Sequence, residues 1–148
     1  TRLKVLSVME GMDYTPNIFA RGLGLDSMKT IGILCPNIAD VFIANAISIL
    51  ERQLHRYGYD CILSCSGYEQ EDRERHVKLL LSKRIDALIL VGSTYAGRTT
   101  DKRETDYLRE AAKITPVFLI NGYVEGENIY CSFFKFQKNF CLLLFIDF

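Results

Sequence analysis

The chain has no tryptophan, only three prolines and only two histidines among 148 residues. His55 and His76 fall on separate predicted helices, and neither has a partner at metal-ligand spacing. A metal centre is therefore not expected, and both rings read as solvated surface groups. Net charge is also missing: 18 basic and 18 acidic residues cancel, so no global field attracts nucleic acid or membrane. No stretch approaches the roughly 20 apolar residues of a membrane helix; the longest candidate, Phe140–Phe148, is far too short. The front of the chain lacks a charged region followed by an apolar run, so a secretory leader is not expected. Catalytic signatures are absent as well. Gly22-x-Gly24 lacks a third glycine and precedes a strand rather than following one, which contradicts a dinucleotide fingerprint. There is no phosphate-binding loop and no nucleophile elbow, so neither an enzyme nor a cofactor is expected. Five cysteines form no metal or redox spacing. They read as reduced, buried small apolar residues of a cytoplasmic protein, with Cys61 and Cys65 on one face of a strand.

What remains is one domain's worth of ordinary globular chain, 49% hydrophobic and 24% charged. A chain of this length can bury roughly 68–70% of its unfolded surface. From Thr30 onward strand and helix patterns alternate. Thr30–Cys35 is an apolar strand. Asp40–Tyr57 repeats apolar residues at helical spacing (Ile43, Ile47, Leu50, Leu54, Tyr57), with Gly58 as its stop. Asp60–Ser64 is a second strand. Gln70–Lys83 is a helix with Val77, Leu80 and Leu81 inward, and the charge run Glu69–Arg75 is its solvated face. Asp86–Val91 is an unbroken apolar strand, as a parallel sheet covered on both faces requires. A helix over Asp101–Lys113 and a strand over Val117–Asn121 follow. The alternation predicts an α/β fold with a parallel, doubly wound, Rossmann-like sheet. In such sheets ligands bind beyond the carboxyl ends of the strands. Here those ends are Pro36–Phe42, Ser66–Tyr68, Gly92–Thr94 and Asn121–Tyr123, rich in small, hydroxyl, amide and aromatic groups that suit a polar, sugar-like ligand.

Ahead of this domain lies a weaker stretch. Pro16 and Asn17 end what precedes them, and Asn17 is a good helix cap. The segment Ile18–Leu25 is too short to be helical alone, because nucleation is costly below roughly 12 residues. Gly22 and Gly24 weaken it by roughly 1 kcal/mol each. Residues 1–13 carry Leu3, Leu6 and Met9 at spacing three, the apolar face of a helix with no beginning. The first 29 residues hold Arg2, Lys4, Arg21 and Lys29 against Glu10, Asp13 and Asp26, four against three. Charge gives no case for DNA binding.

The ordered set Tyr14-x-Pro16-Asn17-x-x-Ala20-Arg21-x-Leu23, then Thr30-Ile31-Gly32-Ile33-Leu34 and Pro36, resembles the hinge and first strand of the LacI/GalR family of bacterial transcription regulators. The similarity continues through Phe42, Gly58-Tyr59, Arg84-Ile85-Asp86-Ala87-Leu88-Ile89-Leu90 and Pro116-Val117, covering residues 1 to about 131. The resemblance implies a periplasmic-binding-protein-like (type I) fold of which one lobe only is present, with a helical N-terminal remnant. Residues 1–16 would be the end of a helix-turn-helix headpiece, 17–29 a hinge helix, 30–131 the N-terminal lobe of an effector domain, and 132–148 an atypical tail. In that family paired hinge helices fold against the minor groove, and an apolar wedge between base pairs costs a few kcal/mol of unstacking, offset by contacts in the bent duplex. Asn17, Ala20, Arg21 and Leu23 match those DNA-binding positions, with Leu23 as the wedge. Asp40, Val41 and Phe42 match the mouth of the effector pocket, with Ser93, Asn121 and Gly122 near it. The implied partners are a double-stranded DNA operator, a small sugar-like effector and a second copy of the chain, and a membrane is not among them. The residues alone leave open that Asp40 is only a helix cap and Phe42 only core. A free-standing periplasmic-type sugar-binding or transport protein is the competing reading, and it would need a signal peptide and no hinge. The aromatic-rich run Phe133–Phe148 fits neither reading and is expected to be a loose strand.

Overall fold

The structure, a computed structural model, describes residues 27–92 and 102–132. Among the described residues there are five parallel strands: β1 (Thr30–Cys35), β2 (Asp60–Cys65), β3 (Ala87–Val91), β4 (Val117–Ile120) and β5 (Ile129–Ser132). Between them run α1 (Val41–Arg56), α2 (Gln70–Ser82) and α3 (Lys102–Ala112). The strand order is β2-β1-β3-β4-β5, so the chain reverses its direction of travel across the sheet after β2.

Strand alternation sends successive side chains to opposite faces, and the core divides accordingly. Ile31, Ile33, Cys35, Ala87, Ile89 and Val91 meet α1 through Ile43, Ile47 and Leu50. Leu34, Leu88, Leu90, Val117 and Leu119 meet α2 and α3 through Val77, Leu80 and Leu108. Helices therefore cover both faces, as the unbroken apolar run of β3 requires. Each fully buried Leu or Val contributes roughly 1.5–3 kcal/mol by leaving water.

Helix ends follow the predicted chemistry. Asp40 caps α1, its Oδ1 accepting from the amides of Phe42 at 2.8 Å and Ile43 at 3.1 Å. At the other end Gly58, at φ +77°, takes the left-handed conformation. Its amide donates to the His55 carbonyl and that of Tyr59 to the Leu54 carbonyl, each at 3.0 Å. This paired reversal satisfies two of the last carbonyls of the helix.

Several details differ from expectation. Tyr57 lies at the cap rather than on the buried stripe and is 72% exposed. Strand β5 was not anticipated; it pairs with β4, and Tyr130 stacks on Phe118 at 5.0 Å between ring centroids. Cysteine is not uniformly buried: Cys35 is, whereas Cys65 is exposed on β2, which among the described residues is an edge strand with a neighbour on one side only. His76 is half-buried rather than fully exposed, and its Nδ1 lies 2.6 Å from Ser64 Oγ. The charge run does behave as a solvated face, with Arg75 paired to Asp72 at the surface. Among the described residues no helix is long and apolar enough to cross a membrane.

Candidate functional site

The strand order places a topological switch between β1 and β3, because the chain leaves β1 to one side for β2 and returns to its other side for β3. Crevices outside the carboxyl ends of strands at such a switch are where open α/β sheets bind ligands. The register sets Leu34 beside Leu90 and Val91 beside Ile120. The three loops that follow β1, β3 and β4 therefore start side by side.

Backbone hydrogen bonds tie this rim together. The Ser66 amide donates to Cys35 and that of Gly67 to Pro36, each at 3.0 Å. The Gly92 amide donates to Ile120 at 3.1 Å, and that of Asn121 to Ser132 at 2.7 Å. Pro36 is buried, and a Cβ built at Gly92 would stand 3.2 Å from Pro36 Cδ. With φ at +136°, position 92 accepts essentially glycine alone. The floor between β1 and β3 is thus backbone and proline ring, with Ile43 of α1 also within 3.7 Å of a Cβ at position 92.

Over this floor sits the start of α1. Asn37 Oδ1 accepts from the Ala39 amide at 2.9 Å, a local turn that leads the chain into the helix. Asp40 is exposed, and its carboxylate caps the helix as described above. Val41 is 74% exposed, and Phe42 is half-buried against the α1-side core. On the far side Asn121 takes a left-handed conformation at φ +61°, which asparagine tolerates, and Gly122 behind it is buried. The structure thus places Asp40, Val41 and Phe42 at the β1 end of the rim, and Asn121 and Gly122 at the β4 end. Ser93, Asn17, Ala20, Arg21 and Leu23 lie outside the described residues, as do residues 17–26 of the expected hinge and the Phe133–Phe148 run, whereas the last three hinge positions, Ser27, Met28 and Lys29, are described.

Asp40 and Phe42 each perform the structural task that the residues alone had left open, cap and core contact respectively. Neither task prevents ligand contact, since the Asp40 side chain is exposed and Phe42 only half covered. Sequence reasoning missed the Pro36–Gly92 contact; it named Ser66 among the strand ends but not its burial, 4% exposed with its Oγ donating to the Gly67 carbonyl at 3.1 Å. It also missed Asp86 at the opposite, amino end of the sheet. Asp86 Oδ2 accepts from Ser27 Oγ at 2.9 Å and the Thr30 amide at 3.0 Å, and Oδ1 accepts from the Met28 amide at 3.0 Å. The signal for it was a lone acid before an apolar strand, where a charge needs partners. Among the described residues no group of three or more His, Cys, Asp or Glu could hold a metal ion.

Two thiols have shifted ionisation. Burial and the neighbouring Cys65 push the Cys35 thiol up to about 12, and burial together with Glu51 and Asp60 raises that of Cys61.

Comparison with known proteins accounts for this arrangement. The family described as periplasmic binding proteins and sugar binding domain of LacI family matches residues 28–121. An HTH-type transcriptional regulator of Lachnoclostridium phytofermentans is 50% identical over 132 residues, 89% of this chain and 39% of that protein. Catabolite control protein A of Streptococcus mutans is 30% identical over 128 residues, 86% of this chain and 36% of that protein. The chain thus spans well under half the length of these relatives. The fold matches the crystal structure of the Lac repressor dimer bound to operator and the anti-inducer ONPF, with TM-score 0.70, 20% identity, and coverage of 90% of this chain and 38% of that one. The chain belongs to the family of periplasmic binding proteins and the sugar-binding domain of the LacI family.

Proposed function

We propose that the intact protein is a transcription regulator whose binding to a double-stranded DNA operator is controlled by a small sugar-like effector. The observation that carries this reading is the 50% identity, across 89% of the chain, to an HTH-type transcriptional regulator. Residues 30–131 form the N-terminal lobe of the effector domain, preceded by the end of a DNA-binding headpiece (1–16) and a hinge (17–29), and followed by the tail 132–148. The effector lies over the β1–β3 switch against Asp40, Val41, Phe42, Ser93, Asn121 and Gly122, and a second lobe closes on it. Asn17, Ala20, Arg21 and Leu23 meet the DNA, with Leu23 as the apolar wedge. The protein works as a cytoplasmic homodimer, performs no catalysis and needs no cofactor.

The mechanism is linkage. An effector changes DNA affinity only by binding one domain arrangement better than another, and couplings of this kind are typically about 5–150-fold. The test is fluorescence anisotropy of the intact protein on a palindromic operator fragment, titrated with a panel of mono- and disaccharides. One sugar should shift DNA affinity within that range. Sugar binding with no DNA retention under any condition would overturn the reading.

A further inference from the structure

Cys35 and Cys65 are register partners at the last positions of β1 and β2, and their Sγ atoms stand 3.6 Å apart. Adjacent strands run about 4.8 Å apart, inside the Cα separation of about 4.4–6.8 Å that disulfides span. Bonding the two sulfurs needs an approach of roughly 1.5 Å, within reach of side-chain rotation. The two thiols differ in access, Cys35 being buried and Cys65 exposed at the sheet edge. The other described thiols are placed differently. Cys131 Sγ lies against the Val124 amide and carbonyl at 3.5 Å, and Cys61 is half-buried among Glu51 and Asp60, which disfavour its thiolate.

We propose that Cys35 and Cys65 are a hydroperoxide-responsive dithiol at the rim of the ligand crevice, Cys65 meeting the oxidant and Cys35 closing on it. The Cys65 thiolate attacks one oxygen of hydrogen peroxide; the O–O bond breaks, hydroxide leaves, and Cys65 becomes a sulfenic acid. The Cys35 sulfur then attacks Cys65 Sγ, forming S–S as S–O breaks. The departing hydroxide takes the Cys35 proton and leaves as water, so two thiols and one peroxide give one disulfide and two waters. The high proton affinity of Cys35 makes this second step base-sensitive. One of the two sulfurs stands at the exposed sheet edge, and exposed disulfides are among those small dithiols reduce readily. The link would pin the two strand ends already joined by the Ser66–Cys35 and Gly67–Pro36 hydrogen bonds, beside the loop that carries Asp40.

The experiment treats the intact protein with equimolar hydrogen peroxide, alkylates remaining thiols and maps peptides by mass spectrometry. A cross-linked peptide joining Cys35 and Cys65, lost on adding dithiothreitol, is the expected result. Cys35→Ser should stop at a dimedone-trappable sulfenic acid on Cys65. Because the wild-type cross-link decides the matter, failure of that variant to fold would not shield the proposal. Amide exchange at Ser66 and Gly67 should slow by about tenfold in the oxidised protein. Oxidation of Cys65 without the link, prior oxidation of Cys61, Cys131 or Cys141, or unchanged exchange at the two amides would overturn it. None of these readouts depends on DNA or sugar binding, so their failure leaves the regulator reading standing.

Discussion

Replacing Asp86 by alanine should loosen the point where the chain enters the sheet. Its carboxylate accepts three hydrogen bonds, from Ser27 Oγ, the Met28 amide and the Thr30 amide, between 2.9 and 3.0 Å. Hydrogen bonds to a charged group are worth about 1.5–3 kcal/mol each, and a buried donor left without a partner costs about 1–3 kcal/mol. Ser27 and Met28 are only half-buried, so water can replace the carboxylate there; Thr30 is buried, so its amide bears the larger cost. The expected loss is therefore about 2–4 kcal/mol, well below the simple sum. Asp86→Asn keeps one acceptor oxygen but turns an amino group toward donors, so its loss should fall between. Ser27→Ala removes a single hydroxyl and should cost about 1 kcal/mol. Urea denaturation read by circular dichroism gives the ranking, as a fall in midpoint with unchanged m-value. If Asp86→Ala lies within about 0.5 kcal/mol of wild type, or Asp86→Asn is as damaging as Ala, the carboxylate is not the anchor described here.

Three further outcomes follow from the rim and the core. Asp40→Ala should cost about 0.5–2 kcal/mol through loss of the α1 cap, while Asp40→Ser should restore most of it; if sugar affinity measured by calorimetry falls equally in both variants, the carboxylate also touches the ligand. Gly92→Ala should lower stability by about 1–3 kcal/mol, because a Cβ at φ +136° must also displace Pro36, and thermal unfolding will report it. Stability should decline above about pH 9, since the unfolded Cys35 thiol ionises near 9.0 while the folded one holds its proton to about 12. The folded state then binds more protons, so stability is complete below pH 9 and falls by up to about 1.4 kcal/mol per pH unit as pH climbs toward 12. Urea midpoints across that range should fall less steeply in Cys35→Ala than in wild type; identical slopes would contradict the assignment.

Much of the fold was legible because its signals are local. The spacing of Ile43, Ile47 and Leu50 has one helical solution, and Asp40 and Gly58 mark its ends through side-chain and backbone chemistry acting within a few residues. The run Ala87–Val91 could only be a strand buried on both faces. Strand β5 was not legible: four residues, Ile129–Ser132, carry too little periodicity to separate strand from loop, and its place depends on β4 and on Tyr130 stacking over Phe118. Tyr57 continued the apolar spacing by one step, yet the chain reverses there and leaves it in solvent. Partnerships across long sequence separations were invisible for the same reason. The spacing of Asp86 from Ser27, of Cys35 from Cys65, or of Ser64 from His76 encodes nothing until the strand order is known. At the carboxyl edge, the loops could be named from the rule for open sheets, whereas the Pro36–Gly92 contact depends on β1 and β3 lying side by side, which no local spacing encodes.

The central claim is that the β1–β3 switch at the carboxyl edge of the sheet is where the effector binds. Amide hydrogen exchange of the intact protein, with and without whichever sugar from the panel binds, tests it most directly. Protection should gather at residues 37–43, 66–68 and 121–123, leaving the opposite edge around Ser27–Thr30 and Arg84–Ala87 unchanged. Protection confined to that opposite edge, with the carboxyl-end loops exchanging as before, would contradict the account.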